Sequence, residues 1–348
     1  MDTLTHALSG ALIARATAPG NPGPTQLATA RRVAIGFLAG AFPDIDIVGA
    51  ALSPVAYLYH HRGITHSILL LPLWAWLLAL LSARLDGSRL TWRAYFGVIA
   101  LAIAAHIAGD LITSFGTMIL APFSDRRFEL STTFIIDLWF TGIILAGLLA
   151  SALWRRSRVP AVIASCVLVG YVGLQWAARG QAIDFGERHA QAAGYTGHRV
   201  SALPRPASPF HWMVIVERAQ GYDYAMVSLT RREPVVLPPD AGFFARIAAP
   251  YEPPGTARWE RVERYGAEPA LSEEAWSTPA LEFFRWFAAF PMVYRVDRDA
   301  AHACVWFQDL RFLTPGRDVW PFRYGACREG SGVWRAFELE GGRRAALD

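Results

Sequence analysis

The sequence contains no lysine, so all 33 of its basic residues are arginines; genome composition accounts for such a bias, and no function is read from it. Charge of either sign is scarce. Charged residues make up 18% of the 348 positions, against about 25% in a typical soluble domain, and the mean hydropathy is +0.25. An ordinary cytosolic enzyme is thereby excluded. The formal net charge is only +4 and no basic run is longer than two or three residues, so nucleic-acid binding is not indicated. There are three cysteines, with no CxxC and no Cys/His zinc-finger spacing. Cys166 lies in an apolar run, while Cys304 and Cys327 leave open either a disulfide or two free thiols. The first residues lack the basic start and the cleavage site of a secretory signal, and there is no internal repeat. Aromatic residues are not scarce: 13 Trp, 20 Phe and 11 Tyr exclude a disordered chain.

What charge there is lies unevenly. Residues 1–179 hold 13 of the 33 basic residues and 8 of the 29 acids, and the rest fall in 180–348. A bilayer core needs about 20 mostly apolar residues per helix. Segments 67–83, 94–113, 134–154 and 159–178 meet that need, the last without a charge. Segment 33–52 is a span broken by Pro43, Asp44 and Asp46, and 4–17 is a short half-span. If each crosses once, Arg15, Arg31, Arg32, Arg84, Arg89, Arg93, Arg155, Arg156 and Arg158 share one face. That face is expected to be cytoplasmic; loops 53–65 and 114–131 and the C-terminal half then face outward. Beyond 180, segments 211–217, 224–230, 292–296, 303–308 and 333–339 read as strands, and 281–290 as more helical. The expected architecture is an α-helical membrane bundle of about five to six membrane helices (1–179), followed by a β-rich (α+β) soluble domain (180–348).

The chemistry sits in the apolar half. His6, His60, His61, His66 and His106 fall within the first 106 residues, and Asp44, Asp46 and Asp110 lie inside apolar segments. Ionised carboxylates within a bilayer normally pair with a cation or line a polar cavity. His106 and Asp110, four apart, share one helix face. Under the orientation above, all these groups reach one depth near the outer interface. A divalent metal reverses the cost of burying carboxylates. Imidazole with carboxylate suits Zn first, and also Mn or Fe. Seven candidate ligands (His6, Asp44, Asp46, His61, His66, His106 and Asp110) suit two ions, or one ion with an outer shell that orients the imidazoles. Gly63 allows a tight turn, Thr65 reads as the N-cap of a helix starting near His66, and Arg62 is placed to hold a phosphate oxygen. His60 is a candidate general base. Asp137, alone near a helix start, reads as a cap, and Arg126 with Arg127 reads as loop.

The signatures THALSG at 5–10, FPDID at 42–46, HRGITHS at 61–67 and HIAGDLITSFGT at 106–117 resemble the YdjM family of bacterial inner-membrane proteins described as metal-dependent hydrolases. The resemblance covers roughly residues 1–180. It implies a metal-dependent hydrolase with His6, Asp44, Asp46, His61, Arg62, His66, His106 and Asp110 at the matching positions, and says little about the C-terminal half. The order His, Asp, His, then HxxxD also resembles the zinc-dependent phospholipase C and single-strand nuclease group, although a second HxxxD or HxxxE after Asp110 is lacking. That likeness favours a phosphoester, on a membrane lipid or lipid-linked substrate, over a peptide bond. The rival readings are a metal-ion or proton transporter, whose buried acids and imidazoles form a path, and a non-catalytic assembly protein with a structural metal.

Overall fold

The computed structural model describes residues 1–51, 53–87, 89–238, 240–299, 301–315 and 321–347. Leu52, the last residue of the broken span, lies outside the described residues. Two compact units emerge: Met1–Ala51, His60–Ala178 and Pro204–Pro209 form the first, and Leu52–Tyr59, Arg179–Leu203 and Phe210–Asp348 the second.

The first unit is helical. Its elements are α1 (Thr3–Ala16), α2 (Thr29–Ala41), a 3-10 stretch Phe42–Ala51, a short 3-10 turn Ile64–His66, α4 (Leu71–Leu85), α5 (Trp92–Leu111) and α6 (Leu138–Leu153). Between the two 3-10 segments comes α3 (Pro54–His60), most of which belongs to the second unit. Among the described residues, three helices are long and apolar enough to cross a membrane: Thr29–Ala51, Trp92–Leu111 and Val159–Ala192. A fourth appears if the bent pair Pro54–His66 and Leu71–Leu85 counts as one span, and Leu138–Leu153 is a shorter apolar helix. Leu38, Leu85, Leu149 and Val169 point outward, each at least 65% exposed; helices apolar on every side are suited to lipid rather than water.

α5 forms the centre. Tyr95, Val98, Ile99, Ala102 and Ile103 are buried together with Ala75 and Ala79 of α4. On its other flank α1 and α2 pack with almost no side chain between them. Gly36 and Gly40, four apart on α2, face Gly10 of α1. A Cβ on Gly10 would sit 2.1 Å from the Gly36 carbonyl oxygen, and one on Gly40 2.6 Å from the His6 carbonyl oxygen. Small residues at this spacing let helix backbones touch. The contact fixes His6 beside α2. α6 starts where Asp137 accepts hydrogen bonds from the Trp139 and Phe140 amides, each at 3.0 Å. Asp137 is thus a cap, held in turn by Tyr171 and Gln175.

α7 (Val159–Ala192) is 34 residues long, or about 51 Å at about 1.5 Å per residue. Its apolar composition ends near Arg179, but the helix does not, and the boundary between units falls inside it.

The second unit carries two antiparallel meanders. One is β1 (Arg199–Pro204), β2 (His211–Glu217), β3 (Gly221–Ser228) and β4 (Glu260–Glu263); the other is β5 (Pro291–Arg298), β6 (His302–Asp309), β7 (Tyr324–Glu329), β8 (Arg335–Glu340) and β9 (Arg343–Ala346). Short helices α8 (Phe243–Ala248), α9 (Pro269–Ser277) and α10 (Glu282–Phe287) lie between strands. The turn before β3 is tighter than the sequence pattern implies, since β3 starts at Gly221 and the Arg218 amide bonds the Gly221 carbonyl. Cys304 and Cys327 stand opposite each other on β6 and β7 and form a disulfide. Asp223 of β3 is buried among His189 at 3.0 Å, Tyr195 at 2.6 Å, Arg218 at 2.8 Å and Arg261 at 3.1 Å. Burial alone would raise its carboxyl, but hydrogen bonds from Arg261, Tyr195 and His189 hold it well below the usual carboxylate range.

Candidate metal centre

Four segments of the first unit meet at one polar point: the start of α1, the 3-10 stretch after α2, the turn 61–67 and the last turn of α5. His6, His66, His106 and Asp110 are fully buried, and the Asp44 side chain is 11% exposed. One ligand atom each from His6, Asp44, His106 and Asp110 falls within 4.8 Å of the others. His66 joins the same point. Its Nε2 is 2.9 Å from His106 Nε2, 3.1 Å from Asp110 Oδ2 and 3.8 Å from Asp44 Oδ1. His106 Nε2 lies 3.5 Å from both Asp44 Oδ1 and Asp110 Oδ2. A tetrahedral ion with bonds of about 2.1 Å sets its ligand atoms about 3.4 Å apart, so the five spacings scatter about such an edge length.

The hydrogen bonds assign the tautomers. His106 Nδ1 is 2.7 Å from the Gly40 carbonyl oxygen, which only accepts, so Nδ1 carries the proton. The single hydroxyl proton of Thr65 goes to Asp46 Oδ2 at 3.1 Å, so Thr65 accepts from His66 Nδ1 at 3.0 Å. With both rings neutral, as metal ligation requires, each turns an Nε2 lone pair inward. Two lone pairs 2.9 Å apart, beside two carboxylates, repel one another unless a cation lies among them. The residues present therefore fit a divalent ion. His6 completes the wall: its ring stacks on His106 with centroids 3.6 Å apart, and its Nε2 is 3.0 Å from Asp110 Oδ1.

A second layer holds the first. Asp46 Oδ1 pairs with His61 Nδ1 at 2.8 Å, and Asp46 Oδ2 accepts from the Arg62 amide at 2.8 Å. His61 and Asp46 thus stand one step out from the inner point, behind His66. Arg62 is 2% exposed. Its Nη2 lies 2.8 Å from Asp110 Oδ1, its Nη1 donates to Thr113 at 2.8 Å, and its guanidinium lies over the Phe115 ring. Arg127 covers the same ring and donates to the carbonyls of Phe115 and Gly116. Arg62 therefore faces Asp110 rather than a phosphate, and Arg127 lies in a loop, as expected, from which it covers Phe115. The amino group of Met1 also meets Asp110 Oδ1.

Other sequence expectations need correction. His60 is exposed at the end of α3, and no hydrogen bond or ion pair joins its ring to the cluster among the described residues. Thr65 does not cap a helix. His66 closes a 3-10 turn, α4 starts only at Leu71, and Ser67 Oγ accepts from the Leu69 and Leu70 amides. The left-handed residue of the tight turn is Arg62, with φ of 60°, rather than Gly63. Thr113, Phe115 and the Gly40 carbonyl were not singled out by sequence. Thr113 and Phe115 fall inside the signature at 106–117, just beyond the end of α5.

Residues 1–182 match the model of the family described as YdjM inner membrane protein. The chain belongs to that family. The matched YdjM region contains every residue of the cluster and stops before β1, so the β-rich unit lies almost wholly outside it. Within curated proteins, the chain is 29% identical over 180 residues to the uncharacterized protein YfhP of Bacillus subtilis (strain 168), covering 49% of this chain and 52% of that one. The chain thus spans about half the length of the curated relative it matches. No solved structure matches it.

Proposed function

We propose that this protein is an integral-membrane, metal-dependent hydrolase that cleaves a phosphoester or related ester of a membrane-borne substrate. The observation that carries this reading is the pair of inward Nε2 atoms of His66 and His106, 2.9 Å apart and flanked by Asp44 and Asp110. These four side chains would hold one ion, Zn first and Mn or Fe next, with His6 closing the wall. When bound, such an ion makes water nucleophilic near neutral pH. Asp46 and His61 orient His66. Arg62 keeps one oxygen of Asp110 engaged, so that the other faces the cluster. His60 has no role in this reading.

The cluster belongs near the outer interface, with the arginine-rich ends of the helices in the cytoplasm and the β-rich unit outside. A disulfide between Cys304 and Cys327 supports that placement, because such bonds persist in oxidising compartments. α6, about 24 Å long, would cross as a short span, and α1 would enter as a half-span.

The deciding experiment joins metal analysis to turnover. Purified protein should carry near-stoichiometric Zn, Mn or Fe and hydrolyse bis(p-nitrophenyl) phosphate, and Asp110→Asn should abolish both while the fold survives. A metal-free protein that never hydrolyses the ester would overturn the reading. A second reading rests on the same pair: a single proton shared between His66 and His106 would make the cluster a proton path. Proton flux into vesicles without bound metal would favour it.

A further inference from the structure

A cavity of about 530 Å³ runs between α2, the 3-10 stretch after it, and α4. Ile35 and Leu38 of α2 line it together with Leu78, Leu81 and Leu85 of α4, open to the outside of the unit, and among the described residues Asp44 is the one charged group in its lining. Its two ends differ. Arg31 at the start of α2 pairs with Asp86 after α4 at 2.8 Å, so the Ile35 and Leu85 end lies toward the arginine-rich side. From Ile35 to Asp44 the chain advances about 15 Å, at about 1.5 Å per residue along α2 and about 2.0 Å in the 3-10 stretch. There the groove meets the cluster, because the Asp44 carboxylate that borders it is the one 3.5 Å from His106 Nε2. Among the described residues, Asp44 Oδ2 is buried without a hydrogen-bond partner.

The same unit contains a second cavity of about 330 Å³, lined by Ser9, Leu12, Phe140, Val169 and their neighbours, with no charged residue in its lining. It serves as an internal control. Ordinary bilayer lipid has equal reason to enter both cavities. Only the first brings a hydrocarbon chain and a polar head to two matching places at once.

We propose that the groove between α2 and α4 seats the hydrocarbon tail of a phosphate-headed amphiphile, with its head against the Asp44 end of the cluster. This rests on the hydrolase reading and adds the substrate class: an ester whose phosphate is attached to a long alkyl or isoprenyl chain. The tail binds by burying apolar surface, and the groove sets the depth at which the head meets the site. Short, water-soluble esters lack that anchor.

The test uses the full-length, metal-loaded protein in nanodiscs and a dodecyl phosphate carrying a diazirine at its tail end. After irradiation, labelled residues are mapped by mass spectrometry. Labelling of Leu38, Leu78 and Leu81 should exceed that of Leu12, Phe140 and Val169 at least fivefold. Unlabelled dodecyl phosphate should compete it away, and dodecanol should not. Leu81→Trp, which fills the groove at a distance from the cluster, should cut the labelling about tenfold with bound metal unchanged. Equal labelling of the two cavities overturns the proposal. So does competition by dodecanol as strong as by dodecyl phosphate, which would show a tail-only site. Absence of hydrolysis with selective labelling would sink the enzyme reading alone, so the two failures are distinguishable.

Discussion

At the scale of single residues, the site separates into side chains that face the shared point and side chains that aim them. His66→Ala and His106→Ala each remove one of the paired Nε2 atoms and should leave the purified protein essentially free of metal by elemental analysis. Asp46→Asn keeps the shape but weakens the Asp46–His61 and Asp46–Thr65 contacts that orient His66. Loss of such an orienting partner typically costs about 10–100-fold in metal affinity, which a competition titration with a chelator would read. His60→Ala should change neither metal content nor ester hydrolysis, because its ring lies apart from the cluster. This division was only half legible in the sequence. The motifs placed His6, Asp44, His66, His106 and Asp110 in one set, and they do converge. The proline-broken FPDID pattern lets one of Asp44 and Asp46 face the cluster while the other supports it, without saying which, and it leaves His61 level with the five, because residue type cannot tell an inward group from its support. Thr113 and Phe115 lie within the 106–117 signature but are residue types that mark no ligand, and the Gly40 carbonyl is not a side chain at all.

At the scale of elements, the α1–α2 contact decides whether His6 and Asp44 come together. Gly40→Ala would drive a methyl group to within 2.6 Å of the His6 carbonyl oxygen. Backbone has no rotamer with which to yield, so the cost should lie at or above the upper end of the usual overpacking range of about 1–3 kcal/mol. Thermal unfolding in detergent should show a lowered midpoint, together with reduced metal retention. In the second unit, Asp223 ties the end of α7 to β3 and β4 through His189, Tyr195 and Arg261. A carboxyl held below its unfolded value stabilises the fold fully above about pH 4 and loses that contribution as the pH falls further. Acid titration followed by Trp fluorescence should therefore show the second unit loosening below pH 4, and Asp223→Asn should flatten that slope while lowering stability at neutral pH. Strand legibility follows the same physics. β2, HWMVIVE, is almost entirely buried and announces itself as an apolar run. β4 (ERVE) and β9 (RRAA) are nearly all exposed; they are strands because β3 and β8 offer them a ladder, which local composition does not record. α7 shows the converse, its helix outlasting the apolar pattern by more than three turns because helical hydrogen bonding needs no apolar surface.

At the scale of the whole molecule, the charge content rises beyond residue 180, and the proposed orientation puts the arginine-rich helix ends in the cytoplasm and the β-rich unit outside. Protease added to intact spheroplasts should digest the β-rich unit while sparing α4–α6, and inverted vesicles should protect it. Alkylation trapping should find Cys304 and Cys327 oxidised in cells. Digestion from the cytoplasmic face only, with both thiols reduced, would invert the proposed topology.

The atom that sets the His106 tautomer is the main-chain oxygen of Gly40. No codon change at position 40 can delete it; a substitution can only displace it by prising two helices apart. A scan that swaps side chains one at a time would record position 40 as a packing defect and miss that the peptide there aims an imidazole.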